Sequence, residues 1–281
     1  VSLQLIEGIG SDARNAVQQG FSKFESEIGK SMTGLSHEKY LGFVMIDGLS
    51  RAEEGVMDAI GDLTNIIFVG GSAGDDVKFQ KTHVFCNGRA ASDAAVLALM
   101  EPKVEFKVLK TQSFTDSGKK LQVTKADEAT RTAVELDGKS AVSAYSEAVD
   151  CPPETVSEHF MNKPVGLMID GEPFVRSPQQ PQDGNIVFYC QIKEGMELSL
   201  LESGNIVEDT RKDMQATFDS WGRPAAIINF HCILRTLELQ EKEQTEAYGR
   251  LFADIPTVGF STYGEQYLGH INQTSTMVFF K

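Results

Sequence analysis

Val258-Gly-Phe-Ser261-Thr-Tyr263-Gly264-Glu265 follows an apolar run and leads into His270-Ile-Asn272-Gln273-Thr274. A turn that packs glycine, hydroxyl, amide and carboxylate groups directly after a strand builds a polar site rather than a core. Val69-Gly-Gly-Ser72-Ala-Gly74-Asp75-Asp76 echoes it 189 residues earlier (261 − 72). The segments leading into the two turns also match. Leu41-Gly-Phe-Val-Met-Ile46 and Ala225-Ala-Ile-Ile-Asn-Phe230 both read as strands buried on both faces. Their polar ends, Asp47-Gly48-Leu-Ser50-Arg51 and His231-Cys232-Ile-Leu-Arg235, set Arg51 and Arg235 at equivalent positions. A helix is expected after each. The first is capped by Ser50 and carries Glu53 and Glu54 in its opening turn; the second runs from about 237 to 252. Returning strands are expected at 82–86 and 274–280. The order is strand, helix, strand, turn, strand in both places, a pseudo-repeated β-α-β-β unit.

Around the two units, residues 1–7 alternate like a strand and 11–29 read as a helix. Gly8-Ile-Gly10-Ser-Asp-Ala13 matches the dinucleotide fingerprint in letters only. No strand bearing a ribose-binding acid follows at the required distance, so it reads as a capped turn. Strands dominate the middle, at 104–111, 121–126 and 132–136, with a hairpin about Asp170-Gly171 and further strands at 185–192 and 196–200. A helix over 205–221 delivers the chain to the second unit. No flexible linker interrupts this order. The expected fold is mixed α/β (α+β): two intimately packed mixed-sheet domains with helices outside, each holding one pseudo-repeat.

At 281 residues and 41% hydrophobic, the chain is long enough for two domains of ordinary size. Its 26 basic against 40 acidic residues give a net charge of −14. That balance argues against nucleic acid and anionic membrane surfaces as partners, since both require a basic patch. No apolar run approaches the roughly 20 residues of a membrane span. No signal peptide is visible, so a cytoplasmic location is expected. Val1 stands where an initiator methionine would, and the natural N-terminus is expected upstream. Cys86, Cys151, Cys190 and Cys232 are scattered without pairing or metal-ligand spacing, as suits reduced thiols.

Gly70-Gly-Ser72-Ala-Gly74 spells G-x-S-x-G, the hydrolase nucleophile elbow. That elbow needs a strand running straight into a helix, and the residues after Gly74 lead toward another strand. Serine hydrolysis through Ser72 is therefore the weakest alternative. Asp75 and Glu265 sit just past glycine turns, placed either to hold a ligand ammonium or pair with an arginine, or to cap local N–H groups. Asn272 enters the last strand, where an amide either reads a polar ligand or satisfies the loop. Cys232 and His231 are strand neighbours that face opposite ways, so they do not activate one another. The histidines, His37, His83, His159, His231 and His270, show no metal spacing.

Taken together, Val44-Met-Ile-Asp47-Gly-Leu-Ser50, Val69 to Asp76, Phe174-Val-Arg176-Ser177, Cys232-Ile-Leu-Arg235 and Val258 to Gln266 with Ile271-Asn-Gln-Thr274 resemble the FIST domain. The resemblance implies a partial FIST-N over 1–138 and FIST-C over 139–281. It also implies a bacterial, cytoplasmic sensory module that works with histidine kinase, diguanylate cyclase or chemotaxis-type partners and binds small molecules, amino acids among them. A nitric-oxide-sensing haem branch of the family shares these motifs. That branch tends to histidines near 110–114 and 161–164, where this chain has Ser113 and Lys163. The expectation is a non-enzymatic ligand sensor without a cofactor, a haem-based gas sensor being the alternative. Its ligand would lie in a cleft between the repeats. Arg176 and Arg235 would take a carboxylate and Glu265 or Asp75 an ammonium, with Asp47, Ser72, Cys232, Ser261, Tyr263 and Asn272 completing the site.

Overall fold

A computed structural model describes every residue from Val1 to Lys281. The chain begins with β1 (Ser2–Glu7), α1 (Ile9–Ile28), β2 (Leu41–Asp47), α2 (Glu53–Leu63) and β3 (Phe68–Ala73). A small hairpin, β4 (Val84–Cys86) and β5 (Arg89–Ala91), precedes β6 (Ala94–Met100) and β7 (Phe106–Thr111). A second body follows: β8 (Phe114–Asp127), β9 (Thr132–Leu136), β10 (Lys139–Ser140), α3 (Ala141–Val149), β11 (Val165–Ile169), β12 (Glu172–Arg176), β13 (Pro178–Gln182), β14 (Asn185–Phe188) and β15 (Glu197–Ser203). The last part is α4 (Ile206–Trp221), β16 (Ala226–Cys232), α5 (Ile233–Glu241), α6 (Thr245–Arg250), β17 (Thr257–Thr262), β18 (Glu265–Tyr267), β19 (His270–Ile271) and β20 (Ser275–Phe280). The class is mixed α/β, and no helix is long and apolar enough to cross a membrane.

Strand pairing shows the internal repeat. One sheet runs β1-β6-β2-β3 and continues through β18 and β19; another runs β7-β20-β16-β17. In both, the first two contacts are antiparallel and the third is parallel. The registers agree with the sequence offset. Gly42 pairs Phe68 and Ile227 pairs Thr257, offsets of 185 (227 − 42) and 189 (257 − 68), so the second crossover is four residues longer. Gly70 and Gly259 coincide under this superposition. A Cβ at Gly70 would stand 1.7 Å from the Val44 carbonyl oxygen, and one at Gly259 1.8 Å from that of Asn229. The repeat keeps glycine where its parallel strands approach most closely.

Alternation along the strands divides each sheet into two faces. Val44, Ile46, Leu97 and Leu99 pack under α1 and α2, with Val17, Phe21 and Phe24 of α1 spaced to meet them. Ile227, Met277 and Phe279 pack under α4. The opposite faces meet each other, Leu41, Phe43 and Val69 against Phe230 and Val278. Phe43 and Phe230 lie 6.2 Å apart across this layer. Each such buried side chain contributes roughly 1.5–3 kcal/mol. The β8–β15 body is inserted between β7 and α4 and has its own core around α3.

Three expectations change. The counterpart of β20 is β6, not residues 82–86, which form one arm of the β4–β5 hairpin. β6 reads Ala-Ala-Val-Leu-Ala-Leu-Met, short of both polar alternation and branched residues, so it carries little strand signal. The helix expected from 237 begins at Ile233, because β16 runs directly into it, and it ends at Glu241. Glu243, with φ 55°, breaks it from α6. Ala52 rather than Ser50 is the N-cap of α2, and the Ser50 hydroxyl donates back to the Asp47 carbonyl at 2.6 Å. The strand expected at 257–260 is formed, and β17 is a sheet edge that leaves Val258 68% and Phe260 40% exposed.

Candidate functional site

β2 and β16, the repeat-related strands, both end at one cavity of about 390 Å³. After β2, Gly48 and Leu49 lead to Arg51 and Glu53 on its wall; after β16, Cys232 leads directly into Ile233, Leu234 and Leu237 of α5. Val77 and Phe79 come from the loop beyond β3, and Tyr263 and Asn272 flank the β18–β19 hairpin. The inserted body closes the remaining side with Arg131, Gln179, Phe188 and Tyr189. A site at the carboxyl ends of parallel strands is where open α/β sheets form pockets. A second cavity of about 410 Å³, lined by His83, Phe85, Phe260 and Ser261 among others, shares Ile233 and Tyr263 with the first.

Tyr263 ties the two repeat turns together. Its hydroxyl donates to Asp75 Oδ1 at 2.6 Å and accepts the Val77 N–H at 2.6 Å. Asp75 also accepts the N–H groups of Phe79, Gln80 and Lys81. The Tyr263 hydrogen bond and these amides hold its carboxyl well below the usual range. The Phe79 ring stacks on Tyr263 at 5.1 Å and lies 6.4 Å from Tyr189. The result is an aromatic wall built by three distant segments.

Beside it, the Arg131 guanidinium bonds Glu53 at 2.7 Å, Glu54 at 2.6 Å and the Tyr189 carbonyl at 2.7 Å. Arg131 and Glu53 are 8% and 1% exposed, so this pairing fastens the inserted body to α2 with little water around it. The Ser72 hydroxyl is fully buried, donating to Glu53 at 3.3 Å and accepting from Gln266 Nε2 at 3.1 Å. No histidine meets it, and β3 is followed by the Asp75 loop rather than a helix. The strand-to-helix elbow that such a nucleophile needs is thus not formed at Ser72.

Glu265 is also turned inward. Its carboxyl accepts the Thr262 and Thr274 hydroxyls and the Thr274 N–H, and burial raises its pKa to about 7. It binds the turn to the last strand and does not reach the cavity. Arg235, 1% exposed, bonds Thr210 at 2.9 Å and leaves Nε and Nη1 without partners. Burial pushes the Cys232 thiol up, with Glu265 adding to the effect, so the thiol stays protonated. Asn272 is 1% exposed, lines the cavity and makes no side-chain hydrogen bond; its Oδ1 is orphaned.

The model of the FIST N domain matches residues 2–139, and that of the FIST C domain matches residues 141–268. The chain belongs to the FIST family. FIST domains are, as a class, sensory and signalling domains. The uncharacterized protein MJ1623 of Methanocaldococcus jannaschii is 26% identical over 197 residues, covering 65% of this chain and 37% of that protein. The chain thus spans little more than a third of the length of this relative.

In this FIST chain, Cys232, Tyr263 and Asn272 line the main cavity and Ser261 the second. Asp75 touches the site through Tyr263 and through the Phe79 and Gln80 amides, without lining the cavity itself. Asp47 accepts the Asp93 N–H at 2.6 Å and the Thr82 hydroxyl, organising the loop below the cavity. Arg176 donates to the Gln191 carbonyl at 3.5 Å and leaves its Nε without a partner. The carboxylate and ammonium roles expected of Arg176, Arg235, Glu265 and Asp75 do not assemble, because none of the four lines either cavity. Arg131, Gln179 and Tyr189 escaped the sequence reading, since nothing in an inserted strand body marks which turns face a distant repeat. No histidine lines the main cavity, and burial drives His231 and His270 toward the neutral form. His83 faces the second cavity and bonds Ser92 at 2.9 Å. A histidine-ligated haem does not fit the main cavity.

Proposed function

We propose that this FIST module is a non-enzymatic sensor that holds a small ligand in the cavity where both repeats and the inserted body meet. One observation carries the reading. A buried amide, Asn272, stands in the cavity wall with no partner in the protein, and buried polar groups are rarely left so. Ligand binding would draw together the Gly74–Lys81 loop, α5 and the β8–β9 turn, which belong to three separate bodies. A change in how they pack is what a signalling partner of the histidine kinase, diguanylate cyclase or chemotaxis type would read. An amino-acid ligand loses its geometric support with the four charged residues that were to hold it. The test is a thermal-shift screen of small metabolites on the wild type and on Leu237→Trp, which fills the cavity from a half-buried position. Hits absent from the variant support the reading; no hit, or hits indifferent to the variant, defeat it.

A further inference from the structure

We infer that the cavity takes a neutral, planar heterocycle that donates a hydrogen bond to Asn272. This rests on reading the cavity as the ligand site and adds the ligand's chemical class. Asn272 Oδ1 is the one buried side-chain atom on the wall left without a partner, in a residue 1% exposed. An amide oxygen accepts and cannot donate, so the group that completes it is a ligand N–H or O–H. Leaving such an acceptor buried and unpaired is costly, which gives a donor-bearing ligand an advantage over one of the same shape without a donor.

The charges at the cavity are already balanced among themselves. Glu53 pairs with Arg131 at 2.7 Å, and Arg131 is shared with Glu54 at 2.6 Å. Arg51, exposed on the same wall, brings the set to two positive and two negative groups. A carboxylate or an ammonium would unbalance this set and lose its own hydration. The remaining polar groups are uncharged. Burial raises the pKa of the Tyr189 phenol, with Cys232 and Tyr263 adding to the effect, and burial likewise keeps the Cys232 thiol protonated. Gln80 and Gln179 contribute neutral amides. The aromatic wall sets the shape of the body. Phe79 stacks on Tyr263 with 5.1 Å between centroids and 28° between planes, and Tyr189 stacks on Phe79 at 6.4 Å. A flat ring packs against such a wall by offset stacking, and Phe188, Leu234 and Leu237 add apolar surface.

Isothermal titration with four bicyclic probes tests the inference: indole, benzofuran, indole-3-carboxylate and tryptamine. Benzofuran has the shape of indole with an oxygen in place of the N–H, so it cannot donate. The expected result is indole binding about tenfold more tightly than benzofuran and than either ion. In Asn272→Leu, which keeps the side chain's size and removes the acceptor, indole and benzofuran should bind alike. Benzofuran or either ion binding as well as indole, no binding by any of the four, or a preference for indole that survives in Asn272→Leu overturns the inference. If that variant fails to fold, the four wild-type affinities decide alone. Should the metabolite screen meanwhile return a charged ligand sensitive to Leu237→Trp, the neutral class falls and the sensor reading stands. If nothing binds in either experiment, both fall.

Discussion

Glu265 decides how stability follows pH at the centre of the molecule. Burial raises its pKa from 4.5 to about 7, against the hydrogen bonds from Thr262 and Thr274. Between those values the folded chain holds a proton that the unfolded chain has released, so stability falls as pH rises through that window. Glu265→Gln keeps an acceptor for the threonines and removes the ionisation. Urea melts at several pH values should show the wild type losing on the order of 3 kcal/mol from pH 4.5 to 7 at this group, and the variant losing less by that amount. Parallel pH profiles for the two proteins would contradict this. Sequence alone singled out Tyr263, Cys232 and Asn272, which line the cavity, because it sets each of them at the end or start of a strand. It misjudged Glu265 because a carboxylate after a glycine turns outward or inward according to packing. Thr262 and Thr274, which receive it, lie on strands whose proximity only the fold reveals. The inward turn makes Glu265 a structural group that stands outside the cavity wall.

The decisive element is the crossing at Gly264, where the chain leaves β17 in one sheet and enters β18 in the other. Ser72 N–H donates to the Gly264 carbonyl at 2.9 Å, and Tyr263 N–H to the Ser72 carbonyl at 3.0 Å. Gly264 has φ 145°, and a Cβ there would stand 2.2 Å from His270 Cε1 and 3.1 Å from Asn272 Nδ2. Gly264→Ala combines backbone strain with overpacking beside the cavity and should cost roughly 2–5 kcal/mol. A calorimetric midpoint equal to that of the wild type would show that the crossing is not so constrained. The repeat behind this crossing was legible from Val69–Asp76 and Val258–Glu265 because turn chemistry is local. Its extent was not, since β6 and β1 join the repeat through pairings across about ninety residues, as in Leu5 with Val96. The early start of α5 was hidden too: Cys232-Ile-Leu continues an apolar strand in composition, and the change of period comes only after it.

At the scale of the whole molecule, the two FIST segments exchange strands. β7 lies within 2–139 and shares its sheet with β16 and β17 of 141–268 through β20, while β18 of 141–268 extends the first sheet beside β3. Neither sheet is complete without both segments. Scanning calorimetry should therefore show one unfolding transition with equal calorimetric and van't Hoff enthalpies, and two resolved transitions would contradict this. The same interlacing explains why the cavity takes walls from both repeats and from the inserted body, and why a bound ligand would couple all three. The central claim is that this cavity is the ligand site. It is tested most directly by the thermal midpoint of wild type and Leu237→Trp across a small-metabolite library that includes neutral heterocycles. A ligand at a hundred times its dissociation constant should add about 2.7 kcal/mol and raise the wild-type midpoint by several degrees, with no shift in Leu237→Trp. Equal shifts in the two proteins, or none in the wild type, would contradict the account.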